Sequence, residues 1–203
     1  MKDQKKLKNL LLLSTLVFLF SSEVFAQSSF YGKIYYGISD AALLPKEEML
    51  GGGLSYDPES FREFGFLLGK ELSKKWAIEA GLNSAAADFK YLLGHNMLSS
   101  QESTILPPSE RFRMLSFPVL MRYSIFPFLY VNAGPMLDIQ RTENPEYNQS
   151  GIGYLLGIGA EHYFKKVGVF IHPHFKRHAT IPFESTNYNL TEFGVQLGVA
   201  YRF

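Results

Sequence analysis

Three histidines, His172, His174 and His178, stand close together in the chain, the first two separated by one residue. On a strand that spacing puts their imidazoles on one face, where they could share a metal ion. No third and fourth ligand can be named beside them. The three histidines are expected to belong to a buried hydrogen-bond network. His174 and His178 also precede Glu184 and Ser185, the residue types that make a hydroxyl nucleophilic through a base and its orienting carboxylate. His95 and Ser99 form a second such pair with no better claim. Gly51-Gly52-Gly53 lacks the Lys-Ser/Thr of a phosphate loop and reads as a loop tip. Asn148-Gln149-Ser150 and Asn189-Leu190-Thr191 match the glycosylation sequon and read as chance matches. The expectation is therefore no catalytic residue, no cofactor-binding residue, no metal ligand and no cofactor.

The elements that would position these residues have a clear signature. From Glu192 to Phe203, odd positions are Phe, Val, Leu, Val, Tyr and Phe, while even positions include Gly, Gln, Gly, Ala and Arg. This is a strand with one apolar face and one small or polar face. Seven earlier segments alternate likewise, near 29–38, 61–72, 75–84, 112–124, 127–140, 151–164 and 166–177. Ser73-Lys74, Ile125-Phe126 and Lys165 form short connections; 39–60, 85–111, 141–150 and 178–191 form long polar ones. That rhythm is the rule of bacterial membrane barrels, whose periplasmic turns are short and outer loops long. Residues 84–98 are rich in Ala and Leu, which suggests a short helix over the barrel mouth.

The faces agree with a closed barrel. Trp76, Ile78, Ala80 and Leu82 oppose Ala77, Glu79, Gly81 and Asn83; Ile152, Tyr154, Leu156 and Ile158 oppose Gly153, Leu155, Gly157, Gly159 and Glu161. Val167, Val169, Ile171 and Phe175 oppose Gly168, Phe170, His172, His174 and Lys176; Phe64, Phe66 and Leu68 oppose Glu63, Gly65, Leu67, Gly69 and Glu71. The glycine-bearing face also carries the charges and should be the lumen, which in an eight-stranded barrel has room only for side chains. Lys33, Arg122, Lys176 and Arg202 should pair there with Glu63, Glu79, Asp138 and Glu161, because buried charges must be paired. Trp76, Tyr123, Phe126, Phe128, Tyr163, Phe164, Tyr201 and Phe203 gather at the short turns, as an interfacial aromatic girdle requires. Pro118, Pro135 and Pro173 fall inside strands, where bulges are one way to absorb them.

Residues 1–26 have the form of a cleaved signal peptide: Lys2, Lys5, Lys6 and Lys8, then an apolar run over Leu10–Phe20, then Val24-Phe25-Ala26. The run is too short for a spanning anchor, which needs about 20 residues. Residues 27–203 then form one barrel domain. With no cysteine, no disulfide framework, thiolate chemistry or lipoprotein anchor is available. A formal net charge of +1 gives no electrostatic case for nucleic acid.

The segment Leu115-Ser116-Phe117-Pro118-Val119-Leu120-Met121-Arg122-Tyr123, followed by Pro127 and Val131-Asn132-Ala133-Gly134-Pro135, resembles a hairpin of the small porin-like outer-membrane barrels, the PorT-like or OmpX-like family. The likeness runs from about Phe30 to Phe203. It implies an all-β, eight-stranded antiparallel up-and-down transmembrane barrel with short periplasmic turns and long extracellular loops, located in the bacterial outer membrane. It also implies a non-enzymatic structural or interaction role, in adhesion or envelope integrity. The expected partners are outer-membrane lipid and lipopolysaccharide, protein or surface ligands at loops 39–60 and 85–111, and the barrel-assembly machinery, which would read the strand ending in Phe203. A monomer is expected. A component of a secretion or envelope-assembly machine is the alternative. A lipid A-modifying barrel ranks third, because His174 is followed by Phe175-Lys176 and the His-x-Ser-Asn signature of the deacylase barrels is missing.

Overall fold

The computed structural model describes residues 29–45, 55–92, 111–141, 148–186 and 188–203. These form eight strands: β1 (Phe30–Pro45), β2 (Ser55–Glu71), β3 (Trp76–Leu92), β4 (Arg111–Phe126), β5 (Leu129–Gln140), β6 (Gly151–Phe164), β7 (Val167–Pro182) and β8 (Tyr188–Arg202). Each pairs antiparallel with its neighbours, and β8 returns to β1 from Tyr31↔Arg202 to Pro45↔Tyr188, closing the barrel. Closure leaves no strand edge unpaired among the described residues, the condition for spanning a bilayer with strands. The signal-peptide residues, Gly51-Gly52-Gly53, His95 and Ser99 lie outside the described residues.

The alternation places its residues as expected. Ile34, Phe64, Trp76, Ile158, Val169 and Leu197 all point outward and are exposed; Lys33, Glu63, Glu79, Asn83 and Glu161 point inward and are buried. An exposed apolar belt on every strand would be untenable in water and is what a hydrocarbon surround requires. The inward glycines have a steric cause. A Cβ at Gly69 would overlap the ring of Tyr31, and one at Gly159 the ring of Tyr130. Small residues on one strand let tyrosines from another lie across the lumen.

Three sequence expectations are corrected. First, strands extend well into the segments read as long loops: β1 runs to Pro45, β2 starts at Ser55, β3 ends at Leu92 and β7 at Pro182. Strands of 16 or 17 residues exceed the ~9–11 needed to cross, so these barrel walls stand proud of the membrane, where the apolar pattern is no longer demanded. Second, residues 84–92 are strand and not helix. Ala85 and Ala87 point inward, leaving room for Phe61 and Phe112, whose rings lie 5.7 Å apart. With Ala41, Met114 and Leu190 they make an apolar plug in the lumen, a layer that the charged-lumen expectation lacked. Third, the second short turn is Pro127-Phe128, since β4 continues through Ile125 and Phe126.

The prolines need no bulges. Register is the same on either side of Pro118, with Ala80↔Val119 and Asn83↔Ser116 flanking a gap in the ladder. Pro135 faces a similar gap between Pro118↔Met136 and Met121↔Ala133, and Pro173 one between Gly157↔His174 and Ala160↔Ile171. Each proline drops a few ladder contacts on one side while keeping a partner on the other, Met136 for Pro118, Tyr154 for Pro135 and Val195 for Pro173. The register shifts that do occur lie elsewhere. One, opposite Ile152/Tyr154, includes Ala179 at φ 43° and turns both His178 and Ala179 inward.

Candidate functional site

The barrel interior holds the titratable side chains in two linked layers. Nearer the short turns, Lys33 Nζ lies 2.7 Å from Glu79 Oε1 and 3.8 Å from Glu161, and the Arg122 guanidinium bonds Glu161. Tyr31 donates to Glu79 at 2.8 Å. Tyr130 lies between the two cations, with its ring centroid 4.5 Å from Lys33 Nζ and 4.0 Å from Arg122 Cζ. Nearer the outer end, Lys176 Nζ donates to Glu63 and, at 2.9 Å, to Glu192 Oε1. His174 lies 3.1 Å from Glu192, and His178 bridges Asp138 at 2.9 Å and Glu192 at 3.2 Å.

Neutral amides join the layers. Asn132 donates to Glu79 at 3.3 Å and meets His172 at 2.8 Å; His172 meets Gln196 at 2.9 Å; Gln196 donates to Glu63 at 2.8 Å. The hydrogen-bonded chain therefore runs unbroken from Arg122 to Asp138. Such closure is what makes buried charge tolerable in a low-dielectric interior.

Of the expected pairings, Lys33, Arg122 and Lys176 meet Glu79, Glu161 and Glu63. Asp138 meets His178 instead of a lysine or arginine. Arg202 departs from the scheme: it lies at the barrel mouth, half-exposed, 3.7 Å from Glu71. Tyr163 leaves the expected girdle, because it shares the inward parity of Glu161 and packs under Arg202 at 3.8 Å. The remaining girdle residues gather at the turns, with Trp76 against Tyr123 at 4.8 Å and Phe126 against Phe128 at 5.8 Å. Glu192, absent from the expected pairings, is fully buried and receives Ser39, His174, Lys176 and His178. Its even parity with Gly194 and Gln196 was the available signal.

The three histidines do not share one point: His174 and His178 both meet Glu192, whereas His172 meets Asn132 and Gln196. His172 and His174 stack with centroids 5.8 Å apart, and each uses its ring nitrogens on different neighbours. Glu63, His174 and Glu192 do bring ligand atoms within 4.8 Å of one another. The Lys176 ammonium bonds both of those carboxylates and supplies the positive charge a cation would bring. The hydrolase-like set is also dispersed. His178 spends its nitrogens on Asp138 and Glu192, whereas Glu184 and Ser185 are exposed and Glu184 accepts from Asn148 at 3.0 Å.

No protein-family model and no curated protein matches the chain. Among solved structures it is similar to outer membrane protein AlkL in DMPC lipid bilayers, with a TM-score of 0.55, 13% identity and coverage of 87% of this chain and 90% of that one. The attachment invasion locus protein Ail of Yersinia pestis, in complex with a heparin analogue, gives a TM-score of 0.43 at 14% identity, covering 86% and 99%. A de novo designed transmembrane β-barrel gives 0.34 at 12%, covering 83% and 95%. The likeness is one of fold: a closed, eight-stranded barrel of the outer-membrane type.

Proposed function

We propose that this chain is a bacterial outer-membrane protein whose barrel is a sealed anchor and whose work is non-enzymatic, done at its outward rim in adhesion or envelope integrity. The observation that carries this reading is the filled lumen, with a hydrogen-bonded chain of ion pairs and amides from Arg122 to Asp138 and an apolar plug of Phe61, Phe112 and Leu190 above it. A barrel so packed offers no route for solutes. Its rigid wall leaves binding to the segments it displays. Within loops 39–60 and 85–111 the strand ends reduce the connecting segments to 46–54 and 93–110. The barrel acts as a monomer among lipid and lipopolysaccharide, and its assembly reads the strand ending in Phe203.

The test pairs two measurements on cells and vesicles. Replacing 93–110 by a short Gly/Ser linker is expected to preserve the folded barrel while lowering surface attachment or detergent resistance, and vesicles holding the intact chain are expected not to conduct. Conductance would overturn the sealed-anchor reading. A change in lipid A mass on expression, lost in Ser185→Ala, would establish the enzyme. Stoichiometric co-purification with envelope-assembly components would move the role to a machine.

A further inference from the structure

At the end of the barrel that carries the short turns lies a cavity of about 470 Å³. That size falls within the ~300–1,000 Å³ of small-ligand sites. Its walls carry four cationic residues, Lys74, Lys75, Arg122 and Arg202, against two acidic ones, Glu71 and Glu161. Both acids are partnered in part: the second Glu161 oxygen makes no hydrogen bond among the described residues and lies 3.8 Å from Lys33 Nζ, whose charge offsets it. Glu161 receives Arg122, and Glu71 receives Ser29 Oγ at 2.5 Å. Arg202 Nη2 lies 3.7 Å from Glu71, outside hydrogen-bond reach. A positive excess is left over.

A second observation is independent of the charge count. The Nε atoms of Arg122 and Arg202 are both buried without a hydrogen-bond partner among the described residues. Arg122 is only 6% exposed, so its unused donor has no free access to bulk water. An unmet buried donor on a charged group is costly, and a bound acceptor removes that cost. The cavity wall also includes Trp76, Ile125 and Phe126, all exposed on the outward face at the turns. The site thus adjoins the level where lipid headgroups meet acyl chains.

We propose that this mouth binds a phosphate group, held by the guanidinium donors of Arg122 and Arg202 and the ammonium groups of Lys74 and Lys75. Donors supplied from several elements suit a tetrahedral oxyanion better than a planar carboxylate, and guanidinium forks match phosphate geometry. The chemistry is shared by the headgroup of an anionic phospholipid in the periplasmic leaflet and by free inorganic phosphate.

The experiment follows the arginine Nε–H resonances of the full barrel, refolded in a phosphate-free maltoside detergent. Either inorganic phosphate or dihexanoylphosphatidylglycerol is titrated in, with acetate as a control anion. Saturable shifts at Arg122 and Arg202, with Arg113 of outer β4 unmoved, are expected. Tighter saturation by the lipid identifies a headgroup as the source, and equal saturation identifies free phosphate. Arg202→Gln should weaken binding about tenfold or more. Lys74→Gln/Lys75→Gln should weaken it and flatten its salt dependence. Both variants spare the inner network, and their heat-modifiable gel band confirms folding. Absence of saturable shifts with either probe, an equal response to acetate, movement of Arg113 in parallel, or an unaffected Arg202→Gln would each overturn the proposal.

Discussion

Lys176→Met removes the ammonium at the centre of the outer layer and keeps most of the side-chain volume. Lys176 is buried, donates to Glu63 and lies 2.9 Å from Glu192, so one substitution strips two buried carboxylates of their shared cation. Breaking a buried pair costs about 3–5 kcal/mol. The carboxylates retain other donors: Asn83 and Gln196 at 2.8 Å for Glu63, and Ser39, His174 and His178 at 2.6, 3.1 and 3.2 Å for Glu192. Those bonds keep the loss near the lower end, about 3 kcal/mol. Urea unfolding in lipid vesicles reads it, because Trp76 is the chain's one tryptophan and sits in the girdle. Adding Glu63→Gln removes one stranded charge, so the double variant should cost less than the sum of the singles by more than about 1 kcal/mol. A Lys176→Met cost below about 1 kcal/mol, with additive behaviour in the double variant, would refute the network as drawn.

Leu197→Arg puts a charge on the outward face at a residue 58% exposed to the surround and should cost about 2–4 kcal/mol, whereas Tyr201→Arg, nearer the turns, should cost about 0–1 kcal/mol. Equal costs in the same vesicle titration would contradict the depth assignment. Lys165 holds φ 59° in the β6–β7 turn, so Lys165→Val should destabilise by about 1 kcal/mol by the same assay, and no change would argue against that backbone. Phe203 contributes one backbone bond to Phe30, at 3.0 Å, and an edge-on ring contact with Tyr201 at 5.5 Å. Deleting it should lower the amount of assembled barrel in cells while leaving refolding in detergent nearly intact; equal impairment in both would make its role structural.

The transmembrane halves of the strands were legible because burial there follows a period of two. Val169 and Ile171 must meet hydrocarbon while Phe170 and His172 fill the lumen, and the chain records this residue by residue. The outer extensions were not legible. Asp57-Pro58-Glu59 in β2 and the alanines of β3 lack the apolar alternation of the membrane-crossing halves, so the strand signal vanishes there and the alanines resemble helix formers. The inner pairs were half legible. Charge and parity marked Lys33, Arg122 and Lys176, but which acid meets which cation depends on positions across the barrel. Asn132 and Gln196, which connect the layers, carry no charge to mark them. Tyr163 shows the cost of weighing composition above parity, since it ends a strand among aromatics yet shares the inward face of Glu161.

The central claim is a closed, lipid-embedded barrel with a filled interior. Its most direct measurement is the gel mobility of the protein in a density-separated outer-membrane fraction, unheated and after boiling in detergent. Recovery in that fraction is expected, with a folded band whose mobility changes only on boiling. Recovery in the soluble periplasmic fraction, with identical mobility before and after heating, would contradict it.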